Sequence, residues 1–411
     1  MLDPAALTPE VGARDAGFDP AGLERIDETF GPYVEDGRLA GWLVTVAREG
    51  RLVYAGGSGY ADRERDRPVS PGTIWRIYSM TKPVVALAAL ALMEEGHFAL
   101  DDEVSRWIPS FAEPRVFVGG TVEAPELAPA TGPITVRHLF SHTAGLTYGF
   151  QRRHPVDALY RAAGYDFLMK RGVDLAGAVD EWAALPLVFD PGTAFTYSVA
   201  TTVLGRLVEI WSGEPLAVHL ERRVFSPLGM VDTAFSCPPD KAERLAQLYL
   251  PGSEGATPFE EWGRFALSPP RLVDGGGGLV STAADYHRFM NVLVGRGASG
   301  EVTLVSPATF DLATTNQLPG GSDLATTARD RYGVAEHAGV GFGLGMSVVL
   351  DPLAARTPVS AGTLSWGGAA STTFFVDVVE GISAALYTQL LPTGTHPLHQ
   401  DLERAVYAAR A

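Results

Sequence analysis

A serine and a lysine stand three residues apart in the segment "SMTK", at Ser79 and Lys82. On a helix, side chains at positions i and i+3 share one face and can meet. A free serine is a poor nucleophile and needs a base within hydrogen-bond reach. A buried lysine can supply that base, because burial lowers its pKa from ~10.4 towards ~7–8. The spacing therefore suits a serine nucleophile with a lysine base, although Ser-x-x-Lys alone is common by chance.

The sequence after Lys82 predicts a buried helix. Residues 84–93 ("VVALAALALM") carry no charge and no hydrogen-bonding side chain. A helix that is apolar all round is a buried helix, and this run is far shorter than the ~20 residues needed to span a bilayer. Pro83 fits the first turn, where its missing N–H does least harm. We therefore expect Ser79 at the positive end of a buried helix, where a lysine is costly unless it has a task.

The bulk composition limits the class of protein. The chain has 411 residues, which is long for one simple core and suggests two domains. Its formal net charge of -16 argues against binding to nucleic acid or to an anionic membrane surface. The single cysteine, Cys237, excludes an intrachain disulfide. The N-terminal segment lacks the basic start and apolar run of a signal peptide, so we expect a cytoplasmic protein.

Strand-like runs lie near both ends of the chain. Residues 41–64 ("GWLVTVAREGRLVYAGGSGYADRE") are typical of a hairpin that turns at 48–50. Four short apolar or alternating runs follow near the C-terminus: "FGLGMSVVLD", "GTLSWGG", "STTFFVDVV" and "ISAALYTQLL". An amphipathic helix over 396–410 closes the chain. Strands at both ends without regular β-α-β alternation predict one antiparallel sheet built from both termini, in an α+β fold.

The middle of the chain is mostly helical in its pattern. Four segments indicate helices: "TVRHLFSHTAGL", "DLAGAVDEWAALPL", "YSVATTVLGRLVEIWSG" and "STAADYHRFMNVLVGRG". Long stretches rich in proline and glycine, such as 110–133 and 320–341, are predicted loops. We therefore expect a discontinuous α/β-sheet domain formed by 1–82 and 275–411, and a mostly helical domain over 83–274. The active site is expected where the two domains meet.

Two further motifs carry a family resemblance. Tyr197 and Ser198 precede a second apolar helix, and Trp366, Gly367 and Gly368 lie between two strands. Ser-x-x-Lys, then Tyr-Ser, then a strand followed by Gly-Gly, in this order, resembles the serine β-lactamase and penicillin-binding-protein superfamily. The resemblance runs from about 20 to about 390 and is closest to class C β-lactamases and the β-lactamase-like carboxylesterases of family VIII. Flanking segments resemble it too: "LFSHTAGL", "SPLGM" and "GFGLGMSV".

The resemblance implies a role for each matching residue. Ser79 matches the acylated nucleophile, and Lys82 and Tyr197 match the pair that shares the general-base role. The sequence leaves open which member of the pair takes the serine proton. A phenol beside a lysine ammonium can be held as phenolate, because a cation within ~4–6 Å favours the charged form. An acyl-enzyme mechanism follows from this assignment.

The third motif implies the oxyanion hole and part of the substrate site. The backbone N–H groups of Ser79 and Ala369 match the two oxyanion donors, and loss of one such donor costs roughly 2.7–4 kcal/mol. Gly367 and Gly368 let the strand pass close to a bound substrate. We therefore predict substrate contacts at both glycines and at Trp366.

Two departures from the class C pattern bear on the substrate. Asn is expected two places after the tyrosine, where Val199 stands, and Lys is expected at Trp366. Lysine there pairs with the carboxylate of a β-lactam or a peptide C-terminus, whereas tryptophan offers apolar area and one N–H donor. The sequence thus favours a serine carboxylesterase for short-chain neutral esters. The alternatives are a β-lactamase or D-amino-acid peptidase of the same fold and, in another class, a catalytically silent scaffold.

Other patterns indicate neither a cofactor nor a metal. No Gly-x-Ser-x-Gly elbow of an α/β-hydrolase is present in the sequence. His138 and His142 have the spacing of a zinc motif, but Leu139 replaces the glutamate that such a motif requires. The glycines at 275–278 lack the Lys-Ser/Thr of a phosphate loop. We expect a small-molecule ester as partner, with no nucleic acid and no membrane; the oligomeric state is not predicted.

Overall fold

Both ends of the chain contribute strands to one eight-stranded antiparallel sheet. The structure, a computed structural model, describes residues 7–167, 170 and 172–411. Across the sheet the strands follow the order Val340–Phe342, Ser347–Val349, Leu364–Gly367, Thr373–Asp377, Ile382–Tyr387, Gly41–Arg48, Arg51–Asp62 and Arg67–Pro68. The predicted α+β fold, with a sheet built from both termini, is confirmed.

The predicted N-terminal hairpin forms between Gly41–Arg48 and Arg51–Asp62. Its two-residue turn has positive φ at both Glu49 (51°) and Gly50 (78°), as a type I′ turn requires. Near the C-terminus, the run "FGLGMSVVLD" was predicted as one strand, and this prediction is wrong. The chain turns between Phe342 and Ser347, so four predicted runs become five strands.

Side chains alternate between two cores on opposite faces of the sheet. In the strand Thr373–Asp377, Phe374 and Val376 join the larger core, whereas Phe375 joins the smaller one. This alternation follows from the period of two along a strand. The helices Pro20–Glu35 and Leu398–Ala408 pack together over the smaller core. Both faces of the sheet are therefore covered.

The helices occupy most of the predicted places but are often shorter. The α-helices are Pro20–Glu35, Thr81–Glu94, Val136–Phe140, Pro155–Ala162, Leu175–Ala183, Ala200–Ser212, Leu216–Leu220, Ser226–Leu228, Glu260–Gly263, Ala283–Val294, Pro307–Thr314, Leu324–Thr327, Pro352–Ala355 and Leu398–Ala408. The helix predicted over 135–146 ends early, because His142 and Gly145 both adopt positive φ. Paired strands Arg115–Gly120 and Pro125–Pro129 lie inside the stretch 110–133, so its prediction as a loop is wrong over these residues.

The helix Thr81–Glu94 is the buried helix expected from the sequence. Every residue from Thr81 to Leu92 is buried, and the helix packs against Ala200–Ser212. The α-helix begins only at Thr81, so Ser79 is not in its first turn as expected. Ser79 lies in the 3₁₀ turn Tyr78–Met80 that leads into the helix. The geometry still places Ser79 and Lys82 together, because the 3₁₀ turn continues directly into the α-helix.

The division into domains at 1–82, 83–274 and 275–411 stays a prediction. Residues 1–6 of the first segment lie outside the described residues. Within the part of the chain that the structure describes, no helix combines the length and apolarity needed to cross a membrane.

Candidate active site

Lys82 is the centre of the candidate site, and its side chain is fully buried. Its Nζ atom lies 3.3 Å from Ser79 Oγ, 3.2 Å from the Tyr148 hydroxyl and 2.6 Å from the Gly276 carbonyl oxygen. A neutral amine has two N–H donors and one lone pair. The carbonyl and the tyrosine hydroxyl can accept the two N–H groups, which leaves the lone pair to accept the Ser79 proton.

Burial lowers the pKa of Lys82 to about 7. The cause is desolvation, which disfavours the ammonium. Of the charged groups nearby, Asp274 opposes this shift and Arg331 adds to it. A large fraction of Lys82 is therefore neutral near neutral pH and able to take a proton.

Tyr197 is also buried, and burial raises its pKa to about 12. The hydrogen bonds with Ser79 and Trp366 and the charge of Arg331 only partly oppose that rise. Its ring centroid lies 4.4 Å from Lys82 Nζ. The sequence allowed a phenolate at Tyr197 beside an ammonium at Lys82. The lowered pKa of Lys82 and the raised pKa of Tyr197 both oppose this pair of charges. The reason is that the same burial disfavours both charged forms.

The end of the third motif lies against the turn that carries the nucleophile. A Cβ atom on Gly368 would lie 2.5 Å from the Ile77 carbonyl oxygen and 2.2 Å from Thr372 Oγ1, so only glycine fits. This contact brings Ala369 to the same cavity as Ser79. Within the described residues, neither of their amides donates to a backbone acceptor. Their role as oxyanion donors stays a prediction.

Ser79 and Ala369 open onto a cavity of about 510 Å³. Its walls are mainly aromatic and aliphatic, with Tyr148 and Asp274 near the nucleophile. The predicted substrate residues Trp366, Gly367 and Gly368 are not part of these walls. Their contact with substrate stays a prediction.

Trp366 packs against Tyr197, with ring centroids 5.3 Å apart. Its indole Nε1 donates to the Tyr197 hydroxyl at 3.3 Å, and only 7% of the residue is exposed. Its ring stacks on Tyr332 with centroids 5.7 Å apart and meets Phe342 edge-on at 5.1 Å. Trp366 therefore orients the tyrosine hydroxyl.

Sequence reasoning missed the segment 330–332, which surrounds Tyr197. Asp330 accepts from the Tyr197 backbone N–H at 2.5 Å and from Gln151 Nε2 at 3.2 Å, and the same Gln151 nitrogen lies 3.1 Å from the Tyr197 carbonyl. Arg331 Nη2 donates to the Tyr332 hydroxyl at 3.0 Å, and its guanidinium lies 6.0 Å from the Tyr197 ring. Burial raises the pKa of Asp330 to about 6. The segment fixes Tyr197 and adds a cation beside it.

Tyr148 was also missed. It follows the segment "LFSHTAGL" that carried part of the family resemblance, but nothing in that segment marks it as a contact of Lys82. Its hydroxyl completes the hydrogen bonding of Lys82, and burial raises its pKa well above the usual range. Ser79, Lys82, Tyr148 and Tyr197 thus form one largely buried cluster that opens at Ser79 onto the cavity. We call it the proton-transfer cluster, for the role proposed below.

Comparison with known proteins identifies the family of the chain. The beta-lactamase family model matches residues 26–408. Esterase EstB of Burkholderia gladioli is 35% identical, over 98% of this chain and 99% of that protein. The chain therefore belongs to the beta-lactamase family.

Solved structures show the same fold over nearly the whole chain. The structure of EstCE1, described as a hydrolase with promiscuous acyltransferase activity, has a TM-score of 0.80 at 30% identity and covers 94% of this chain and 99% of its own. Simvastatin synthase (LovD) from Aspergillus terreus has a TM-score of 0.78 at 25% identity, with coverage of 94% and 98%. The names of these relatives thus include an esterase, a hydrolase with acyltransferase activity and a synthase.

Proposed function

We propose that this protein is a serine carboxylesterase that hydrolyses neutral esters through an acyl-enzyme on Ser79. The observation that carries the proposal is the buried Lys82, whose pKa of about 7 and 3.3 Å distance to Ser79 Oγ suit a general base. The names of EstB and EstCE1 support an esterase over other activities of the family.

Each group of the cluster acts in a particular step of the reaction. Ser79 Oγ attacks the ester carbonyl carbon while its proton moves to neutral Lys82 Nζ. The amides of Ser79 and Ala369 stabilise the negative oxygen of the tetrahedral intermediate. The C–O bond to the alcohol then breaks, and the leaving oxygen takes a proton from Tyr197, which is held protonated. The proton on Lys82 replaces it, so both groups return to their starting forms. Water repeats the sequence on the acyl-enzyme and releases the acid.

The preference for neutral esters rests on Trp366. A lysine at this place in related β-lactamases pairs with a substrate carboxylate. Here the indole is used in a hydrogen bond to Tyr197, and the side chain brings no charge. We therefore expect weak activity on penicillins and cephalosporins.

The test is a pair of assays on the purified protein. p-Nitrophenyl butyrate and a chromogenic cephalosporin are compared for wild type and Ser79→Ala. We expect fast ester hydrolysis, weak cephalosporin hydrolysis and loss of both in the variant, with a fluorophosphonate adding mass at Ser79 alone. Labelling at another serine contradicts the mechanism, and equal efficiency on the two substrates favours a β-lactamase instead.

A second candidate function is acyl transfer to an alcohol. The apolar walls beside Ser79 favour it, because they can hold an organic acceptor close to the acyl-enzyme. The titles of EstCE1 and LovD support the same chemistry. The measurement is the ratio of new ester to free acid when an alcohol is added to the p-nitrophenyl butyrate reaction. A ratio no higher than that of the uncatalysed reaction excludes this function.

A further inference from the structure

A continuous row of aromatic rings runs along one wall of the cavity. Tyr148, which contacts Lys82, stacks on Phe150 with ring centroids 4.6 Å apart. Phe150 contacts Phe167 at 5.5 Å, and Phe167 stacks on Trp262 at 4.9 Å with the planes 15° apart. These four rings, which we call the aromatic row, all line the cavity that contains Ser79. The row thus extends from Tyr148, in the proton-transfer cluster, to Trp262 along the cavity lining.

The turn that carries the nucleophile is joined to the same row. Tyr78, the residue before Ser79, lies 6.1 Å from the Phe167 ring. Tyr78, Phe167, Trp262 and Ala369 pack around one small apolar cluster. The row therefore packs against the turn that carries Ser79, and it also lines the cavity.

Other parts of the cavity lining are apolar as well. They include Phe235, Leu272 and the two prolines of the segment "SPPR", Pro269 and Pro270, which precede the cation Arg271. A cavity of about 510 Å³ is within the ~300–1,000 Å³ range of sites that enclose a drug-sized molecule. A short ester leaves most of such a volume unfilled, so the cavity is built for a larger group.

Of the cations that line the cavity, two lie close in sequence to Phe167 and Trp262. Lys170, near the row, is paired with Glu181 at 2.7 Å, and Arg264 is paired with Glu260 at 2.7 Å. Both cations are thus compensated by carboxylates of the protein. Flat ring faces in an apolar slot favour a planar aromatic group over a charged one, because aromatic rings gain from stacked or edge-on contact beyond their buried area.

We infer that the aromatic row is a subsite for a planar aromatic group carried by the ester substrate. This inference rests on the proposed esterase function and names the class of its substrates: neutral esters with an aryl group on the acyl or the alcohol side. Phe167 and Trp262 are the specificity-determining residues, because they are the members of the row farthest along it from Lys82.

The test compares matched esters on Trp262→Leu and wild type. Ethyl butanoate, benzyl butanoate and ethyl 4-phenylbutanoate differ in whether, and on which side, they carry a phenyl group. We expect wild type to show a lower KM for at least one aryl ester than for ethyl butanoate, and the side that gains locates the subsite. In Trp262→Leu that KM should rise on the order of three- to tenfold, and by more than the KM of ethyl butanoate.

Trp107→Leu is the matched control, since Trp107 is also half-buried but packs on Trp211 away from the cavity. It should leave the aryl preference intact. Absence of an aryl preference in wild type, or an equal loss for aryl and alkyl esters in Trp262→Leu, overturns the subsite.

A binding measurement separates this inference from the proposed function. Calorimetric titration of Ser79→Ala with benzyl butanoate and ethyl 4-phenylbutanoate reports the subsite without turnover. Binding of an aryl ester that weakens when Trp262→Leu is added supports the subsite even if no ester is hydrolysed, and then the esterase proposal alone fails. Hydrolysis of esters by wild type without any such binding overturns the subsite alone.

Discussion

The Nζ atom of Lys82 lies 3.3 Å from the Oγ atom of Ser79, at the start of a helix that is buried from Thr81 to Leu92. The helix brings no charged partner to the lysine, so burial is the main influence on its pKa. A base that is largely neutral near pH 7 is prepared for proton transfer before the substrate arrives. The same burial makes the lysine costly to the fold, and both consequences can be measured.

The first prediction concerns the pH dependence of the esterase reaction. Lys82 accepts the Ser79 proton only as the neutral amine, and its pKa is about 7. kcat/KM should therefore rise with pH through about 7 and level off above it. The measurement is a pH profile with a neutral ester. A rate that stays flat down to about pH 5 contradicts Lys82 as the base.

The second prediction concerns stability. Lys82 is neutral in the folded protein above pH ~7, whereas in the unfolded chain it stays charged up to ~10.4. Between these values the unfolded state binds one more proton, so stability should rise with pH by about 1.4 kcal/mol per pH unit relative to Lys82→Met. The measurement is urea unfolding of both proteins at pH 7.5 and pH 9.5. Ser79→Ala keeps the lysine and should keep the wild-type slope; parallel slopes for wild type and Lys82→Met contradict the shift.

The proximity of Ser79 and Lys82 could be predicted from the sequence because it is local. The two side chains stand at positions i and i+3, and the apolar run after them indicates burial. The N-terminal hairpin was predictable for the same reason, since the turn at Glu49 and Gly50 joins adjacent strands. Tyr197 and Trp366 were predicted through the family resemblance and not through spacing.

The surroundings of Tyr197 could not be predicted because they depend on distant parts of the chain. Asp330 lies 133 residues from Tyr197 in sequence, and Tyr148 lies 66 residues from Lys82. Asp330 lies in the stretch 320–341, which is rich in glycine and alanine and was predicted as a loop. The charge state of Tyr197 could not be predicted from the sequence either, because the pKa of Tyr197 depends on how deeply the side chain is buried. Packing, which the sequence does not display, decides these contacts.

The third prediction concerns the shared proton path of Lys82 and Tyr197. Lys82→Ala and Tyr197→Phe should each lower kcat at least ~10²-fold with little change in KM, because both groups act in proton transfer. The double variant should lose much less than the product of the two single losses, as members of one unit do. Steady-state kinetics on p-nitrophenyl butyrate checks this. Strictly multiplicative losses would mean that the two residues act independently.

The fourth prediction concerns Arg331 as a positioning residue. Its positive charge lies beside Tyr197 and lowers the pKa of Lys82, whereas Asp274 raises it. Arg331→Met should therefore shift the acid limb of kcat/KM to higher pH, because the Lys82 ammonium becomes easier to form. Arg331→Lys keeps the charge and should leave the limb near its wild-type position.

The pH profile separates this electrostatic role from a purely structural one. Loss of packing at Arg331 would lower the rate at every pH without moving the limb. A limb at the wild-type pH in Arg331→Met would therefore contradict the prediction, whatever the change in rate. Thermal unfolding of each variant at one fixed pH checks that the fold is retained.

The last prediction concerns the choice of substrate at Trp366. The indole donates to the Tyr197 hydroxyl and carries no charge. Trp366→Lys restores the cation of the related β-lactamases, and a charged hydrogen bond of this kind is worth about 1.5–3 kcal/mol, or roughly ten- to a hundredfold. The ratio of cephalosporin to p-nitrophenyl butyrate hydrolysis should therefore rise, while ester hydrolysis falls because the tyrosine loses its orienting donor. Trp366→Phe is the control: it removes the same donor without adding charge, so it should lower ester hydrolysis and leave the ratio near that of wild type. A ratio that rises equally in both variants would show that the absence of tryptophan, and not the presence of a cation, controls the choice.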